Sequence, residues 1–71
     1  MAKAAVKPAA TFRLGYVKAT VWRNDKFFNV ELTRSYKDGD EYKDTNSLGS
    51  GDLLNAAKVL ERAEQFISEQ A

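Results

Sequence analysis

Between Thr11 and Tyr36 apolar and polar residues alternate with a period of two, and the stretch is rich in β-branched and aromatic side chains. A strand suits that pattern, because its side chains leave the backbone on alternate faces. Asn24-Asp25 interrupts the run as a two-residue hairpin loop, since both residues tolerate positive φ better than most. Closing the hairpin there sets Arg23 against Lys26. One face then carries Val17 opposite Leu32, Ala19 opposite Val30 and Val21 opposite Phe28. The other carries Tyr16 opposite Thr33, Lys18 opposite Glu31, Thr20 opposite Asn29 and Trp22 opposite Phe27. Lys18 and Glu31 form a favourable cross-strand charge pair in that register.

The flanking segments extend the sheet. Phe12 and Leu14 are out of phase with Val17, so a bend at Gly15 is expected to return them to the core face as a short first strand, residues 11–14. Asp38-Gly39 is the strongest turn signal in the chain. A further strand, Glu41 to Leu48, follows it. A three-residue loop pairs Tyr36 with Tyr42 and sets Val30 against Leu48; a two-residue loop would pair Tyr36 with Glu41. Ser47-Leu48-Gly49-Ser50-Gly51 ends the sheet, with Ser50 as the expected N-cap and Asp52 at the positive end of the helix dipole. From Leu53 onward Leu53, Ala56, Ala57, Leu60, Ala63 and Ile67 follow helical spacing. The expected fold is therefore α+β: an antiparallel sheet of three to four strands followed by one C-terminal amphipathic helix.

Size bears on assembly. The chain has 71 residues, enough for one domain whose folding buries only roughly 60% of the surface its unfolded form exposes. It holds neither Cys nor His, so disulfides and the commonest zinc ligands are both out of reach. Oligomerisation is the remaining support, and a homodimer is expected. Leu54, Val59 and Phe66 widen the apolar stripe of the helix beyond what one small sheet can cover, and are expected at the dimer interface. Residues 1–10 lack periodicity and read as a flexible tail; residues 11–71 form the domain. That start has no apolar core of a secretory signal, which points to a cytoplasmic protein, with association with the nucleoid open to it.

The same absences argue against an enzyme. The commonest general base and the best nucleophile are missing. Asp38, Asp40 and Glu41 lack the further spaced ligands of a calcium loop and read as a solvated turn. No metal or cofactor site is expected.

Net charge is +1, from 11 basic and 10 acidic residues, so the placement of charge matters more than its sum. The outer face of the hairpin would combine Tyr16, Lys18, Trp22 and Phe27, with Arg23 and Lys26 at its tip. Arg34, Tyr36, Lys37 and Lys43 would cluster near the second hairpin. Exposed rings among cations suit a single-stranded nucleic acid, since bases stack on the rings while Lys and Arg follow phosphates. Trp22 and Phe27 could instead brace the sheet by pairing across strands. A protein-interaction module, using the aromatic patch or the edge strand near Phe12, or a structural subunit that buries the sheet on assembly, is the alternative.

The run Phe12-Arg13-Leu14-Gly15, then Val30-Glu31-Leu32-Thr33-Arg34-Ser35-Tyr36, the polar turn Lys37 to Glu41, a lysine-bearing strand and one C-terminal helix resemble the positive cofactor four family of transcriptional coactivators. The resemblance covers about residues 11–67 and lies mainly in element order and spacing. It implies a curved four-stranded antiparallel sheet, dimerisation through the helices, and binding of single-stranded or unwound DNA without strong sequence preference. Lys18, Arg23, Arg34 and Lys43 fall where the family carries basic strand residues, and Tyr36 where it carries an aromatic. Three features depart from the pattern. The hairpin is shorter, Lys37 stands where an aromatic is common, and Asp44-Thr45-Asn46-Ser47 replaces a lysine-rich segment. The functional expectation is a non-catalytic, sequence-independent binder of single-stranded DNA or RNA serving transcription, replication or repair.

Overall fold

The computed structural model describes residues 7–70. Four strands, β1 (Ala10–Leu14), β2 (Val17–Asn24), β3 (Phe27–Asp38) and β4 (Glu41–Thr45), form an open, curved antiparallel sheet in the order β1-β2-β3-β4. A short 3₁₀ turn at Ser50–Asp52 leads into one helix, α1 (Leu53–Glu69). The α+β architecture read from the sequence is the one observed. Most of the residues 1–10 expected as a tail lie outside the described residues. Ala9 and Ala10, however, already belong to the sheet, the Ala9 N–H donating to the Val21 carbonyl at 2.7 Å.

All three hairpins close through two-residue loops: Gly15-Tyr16, Asp25-Lys26 and Gly39-Asp40. In each loop the first residue takes positive φ, at +62° for Gly15, +64° for Asp25 and +66° for Gly39. The second does not, which is the φ pattern of a type II′ turn. This corrects both expected registers. The first loop is Asp25-Lys26 rather than Asn24-Asp25, so Val17 lies opposite Arg34, Lys18 opposite Thr33, Ala19 opposite Leu32, Val21 opposite Val30 and Trp22 opposite Asn29. A slip of two residues leaves every side chain on its expected face, and alternation alone cannot detect it. The second loop is Gly39-Asp40, so Tyr36 pairs with Lys43 rather than with Tyr42 or Glu41. Strand β4 ends at Thr45, and Leu48 packs against the core from outside the sheet rather than pairing with Val30.

Helix α1 lies across β1 and β2. The fully packed layer consists of Val17, Ala19 and Val21 of β2 against Ala56, Val59 and Ala63 of α1, all 5% exposed or less. The alanines let the helix axis come close to the sheet, and Val59 fills the space between them. Phe12 and Phe28 close one end of this layer edge-to-face against Phe66, with ring centroids at 6.2 and 6.4 Å. The helix starts later than the expected Ser50 cap. Asp52 takes the N-cap position, and its carboxylate turns back to accept the Gly49 N–H at 2.9 Å.

Gly15 and Gly39 share a conformation but not surroundings. A Cβ on Gly15 would sit 2.8 Å from Asn55 Nδ2, whereas one on Gly39 meets nothing within 4 Å. Gly39→Ala should cost about 1 kcal/mol, from the left-handed backbone alone. Gly15→Ala should cost more, because Asn55 must also move. Thermal melts of the two variants check this, and equal losses would contradict it.

Candidate nucleic-acid interface

Helix α1 covers β1 and β2 on one side of the sheet, and the other side is open along all four strands. Backbone parity sends Thr11 and Arg13 of β1, Lys18, Thr20 and Trp22 of β2, the odd-numbered residues of β3, and Tyr42 and Asp44 of β4 to that outer face. Tyr16, in the β1–β2 loop, joins them, lining a shallow hollow with Arg13, Ser35 and Tyr42. Large rings stay in solvent here: Tyr16 is 64% exposed, Tyr42 69% and Phe27 72%. Tyr16 and Tyr42 sit at one end of the face, Trp22 and Phe27 at the other. From the start of β2 beside Tyr16 to Trp22 the strand rise places these two aromatic ends roughly 17–20 Å apart.

Arg13 and Lys18 lie between them and directly opposite each other across β1 and β2. Like charges at such positions have Cβ atoms about 5 Å apart and destabilise the sheet. No ion pair among the described residues neutralises either one, nor Lys37 nearby on the same face. The two acids of the face are engaged as acceptors. Trp22 Nε1 donates to Glu31 Oε1 at 3.2 Å, and Ser35 Oγ donates to Asp44 Oδ1 at 3.1 Å. The first of these bonds gives the indole N–H of the half-buried Trp22 its partner.

The ten residues nominated from the sequence therefore do not form one surface. Tyr16, Lys18, Trp22, Phe27 and Lys37 share the outer face, and Lys26 stands exposed in the loop at the hairpin tip. Arg23, Arg34, Tyr36 and Lys43 turn to the helix side, where each cation has work inside the fold. Arg34 Nε lies 3.3 Å from Asp52 Oδ2 and donates to the Ser47 carbonyl at 3.0 Å, tying β3 to the start of the helix. Its guanidinium also stands 6.0 Å from the centre of the Tyr36 ring. Lys43 Nζ lies 3.0 Å from Asp38 Oδ2, and the Arg23 guanidinium stands 5.6 Å from the Phe28 ring centre.

Two residues of the outer face, Arg13 and Tyr42, were not nominated. Arg13 becomes visible only once β1 is paired with β2, and Tyr42 only when a two-residue loop, rather than the three-residue one, closes β3 and β4. The nominated dimer residues also separate. Val59 is fully buried in the chain's own core and Phe66 packs on Phe12 and Phe28, leaving Leu54, 85% exposed, as the free member. Among the described residues no group of three or more potential ligands gathers to hold a metal ion, and no helix is long and apolar enough to cross a membrane. Comparison with protein-family models, with curated proteins and with solved structures finds no match to this chain.

Arg34 joins three elements through one partly buried side chain, so its loss should be a matter of stability. Arg34→Ala should lower the unfolding free energy by about 1.5–3 kcal/mol, the range for hydrogen bonds to charged groups. Arg34→Lys should restore little of it, because an ammonium lacks the planar fork. Urea unfolding of the two variants checks both statements.

Proposed function

We propose that this protein binds single-stranded nucleic acid, DNA in the first instance, without sequence preference and without catalysis, on the outer face of its sheet. The observation that carries the reading is the Arg13–Lys18 pair. Two cations set opposite each other, with no ion pair to either among the described residues, cost the fold stability, and a phosphate backbone lying between them would turn that cost into affinity. The exposed rings at either end supply the second requirement, since stacking tolerates any base. The backbone would run over Arg13 and Lys18, with bases placed on Tyr16 and Tyr42 at one end and on Trp22 and Phe27 at the other. The resemblance to the positive cofactor four family points to the same ligand, although of the residues matched to it only Lys18 takes part, and Arg23, Arg34, Tyr36 and Lys43 lie on the helix side. The reading includes a homodimer, because a packed layer made only of valine and alanine side chains is small for a self-sufficient domain.

Anisotropy titrations with a fluorescent ~20-nucleotide oligo-dT at several salt concentrations test the site. Lys18→Ala should reduce the salt slope by about 0.7, the value for one phosphate contact on a single strand. Tyr42→Ala should weaken binding by about 1–3 kcal/mol with the slope unchanged. Arg13→Gln separates function from fold. It should weaken binding while raising stability by a few tenths of a kcal/mol or more, on the order of a cross-strand pair. Loss of binding together with loss of stability would make Arg13 a structural residue. Absence of binding by the wild type at low salt would favour a protein partner for the aromatic face.

A further inference from the structure

Strand β3 is longer than its neighbour. It runs from Phe27 to Asp38, but β4 pairs only with Arg34–Asp38. The chain then leaves the sheet toward the helix side, where the Ser47 carbonyl meets Arg34 and Leu48 reaches the core. The edge of β3 from Phe27 to Thr33 is left open on that side. Its backbone polarity follows from one hydrogen bond. Ser35 donates its N–H to the Tyr16 carbonyl at 2.9 Å, so odd-numbered residues of β3 direct their backbone groups toward β2. In an antiparallel ladder the alternate residues face the other way. Phe28, Val30 and Leu32 thus point both N–H and C=O outward along the open edge, and no hydrogen bond among the described residues takes them up. An edge in this condition is a template for another strand.

The side chains of those same residues lie on the helix side of the sheet. Phe28 and Leu32 are partly buried against the core, and Val30 remains 39% exposed. The other exposed large aliphatic residues, Leu53, Leu54 and Leu60, belong to α1. Exposed aliphatic surface is therefore confined to the helix side of the molecule, and the outer face keeps the aromatic rings and unbalanced cations.

We propose that the open edge of β3 pairs antiparallel with the same edge of a second copy, about a two-fold axis at Val30. This names the interface of the homodimer and rests on that reading. Phe28 then lies opposite Leu32 of the second copy, and Val30 opposite Val30. Every outward N–H and C=O of the three residues gains a partner. A register displaced by two residues leaves some of them without one, and a displacement of one residue brings inward-facing backbone to the seam. The opposite face is compatible too. Glu31 meets Asn29 of the second copy and Phe27 meets Thr33, so no like charges oppose across the seam. Such a contact is isologous and closes on itself, which stops further growth. It joins the two sheets through β3 and places the two outer faces side by side as one longer platform for a single strand.

The chain has no cysteine, so Val30→Cys introduces a single thiol. In the proposed pairing the two Cα atoms at position 30 stand about 5.5 Å apart, within the span a disulfide bridges. Sedimentation of the wild type should give twice the 7.9 kDa chain mass. Val30→Cys should form a covalent dimer under mild oxidation and keep its affinity for oligo-dT. Leu54→Cys, far more exposed, should cross-link much more slowly. Val30→Pro removes only an outward N–H and should give a monomer with unchanged circular dichroism. If that variant loses its fold, the cysteine result decides alone. A monomeric wild type overturns the interface and the homodimer together. A dimeric wild type whose Val30→Cys form does not cross-link overturns the interface and leaves the homodimer standing.

Discussion

The close seat of α1 on β2 governs the rest of this structure. At the centre of the contact only valine and alanine side chains separate the helix from the sheet, at Val17, Ala19 and Val21 on one side and Ala56, Val59 and Ala63 on the other, with Phe12, Phe28 and Phe66 closing one end. A layer of small residues gives intimate contact over a small area. The helix then covers β1 and β2 and leaves most of β3 and all of β4 without a helical roof. The closed half supplies stability. The uncovered half supplies an open backbone edge, and the face turned away from the helix supplies an exposed chemical surface.

That division sorts the charges by task. On the helix side Arg34 holds the start of α1 to β3, Lys43 pairs with Asp38, and Arg23 stacks on Phe28. Arg34 and Lys43 are each paired with a carboxylate of the chain, and Arg23 lies beside a ring. On the outer face Arg13 and Lys18 confront each other with no carboxylate between them. A fold selected for stability alone would not hold two cations there. Cross-strand repulsion on a surface that also exposes Tyr16, Tyr42 and Phe27 is a stronger pointer to an anionic, base-bearing ligand than the near-zero net charge, which is uninformative. The accompanying acids accept hydrogen bonds within the sheet; Glu31, opposite Thr20 and so one same-face position along from Lys18, accepts from Trp22 and forms no ion pair with Lys18.

Much of this was legible in the sequence. The period-two alternation identified β2 and β3 and assigned Val17, Ala19, Val21 and Leu32 to the core face, and Gly15 marked the turn that returns Phe12 and Leu14 to it. The registers were not legible, for one reason repeated at each predicted loop. Asn24-Asp25 and Asp38-Gly39 are natural pairs for a turn whose second residue has positive φ. In the structure the first residue has it, so each loop begins one residue later. In β2 and β3 this displacement left the faces intact. In β4, where Glu41-Tyr42-Lys43-Asp44-Thr45 carries no apolar alternation to fix a face, the loop is also one residue shorter than the three-residue loop expected, and that single-residue slip exchanges Lys43 for Tyr42 on the outer surface. The helical spacing puts the stripe on Leu53, Ala56, Ala57, Leu60, Ala63 and Ile67, with Val59 at its margin. The packed line instead runs through Ala56, Val59 and Ala63, because a helix pressed close to a sheet favours small side chains at the contact.

On the proposed reading the outer face, and not the helix side, takes up the single strand. The most direct measurement is a ¹⁵N chemical-shift map of the protein titrated with oligo-dT. The account predicts that the shifts gather on Arg13, Tyr16, Lys18 and Tyr42 and on the Trp22 indole N–H, with α1 and the Arg34–Asp52 contact left largely still. Shifts centred on Arg34, Tyr36 and Lys43, or confined to the helix, would contradict it.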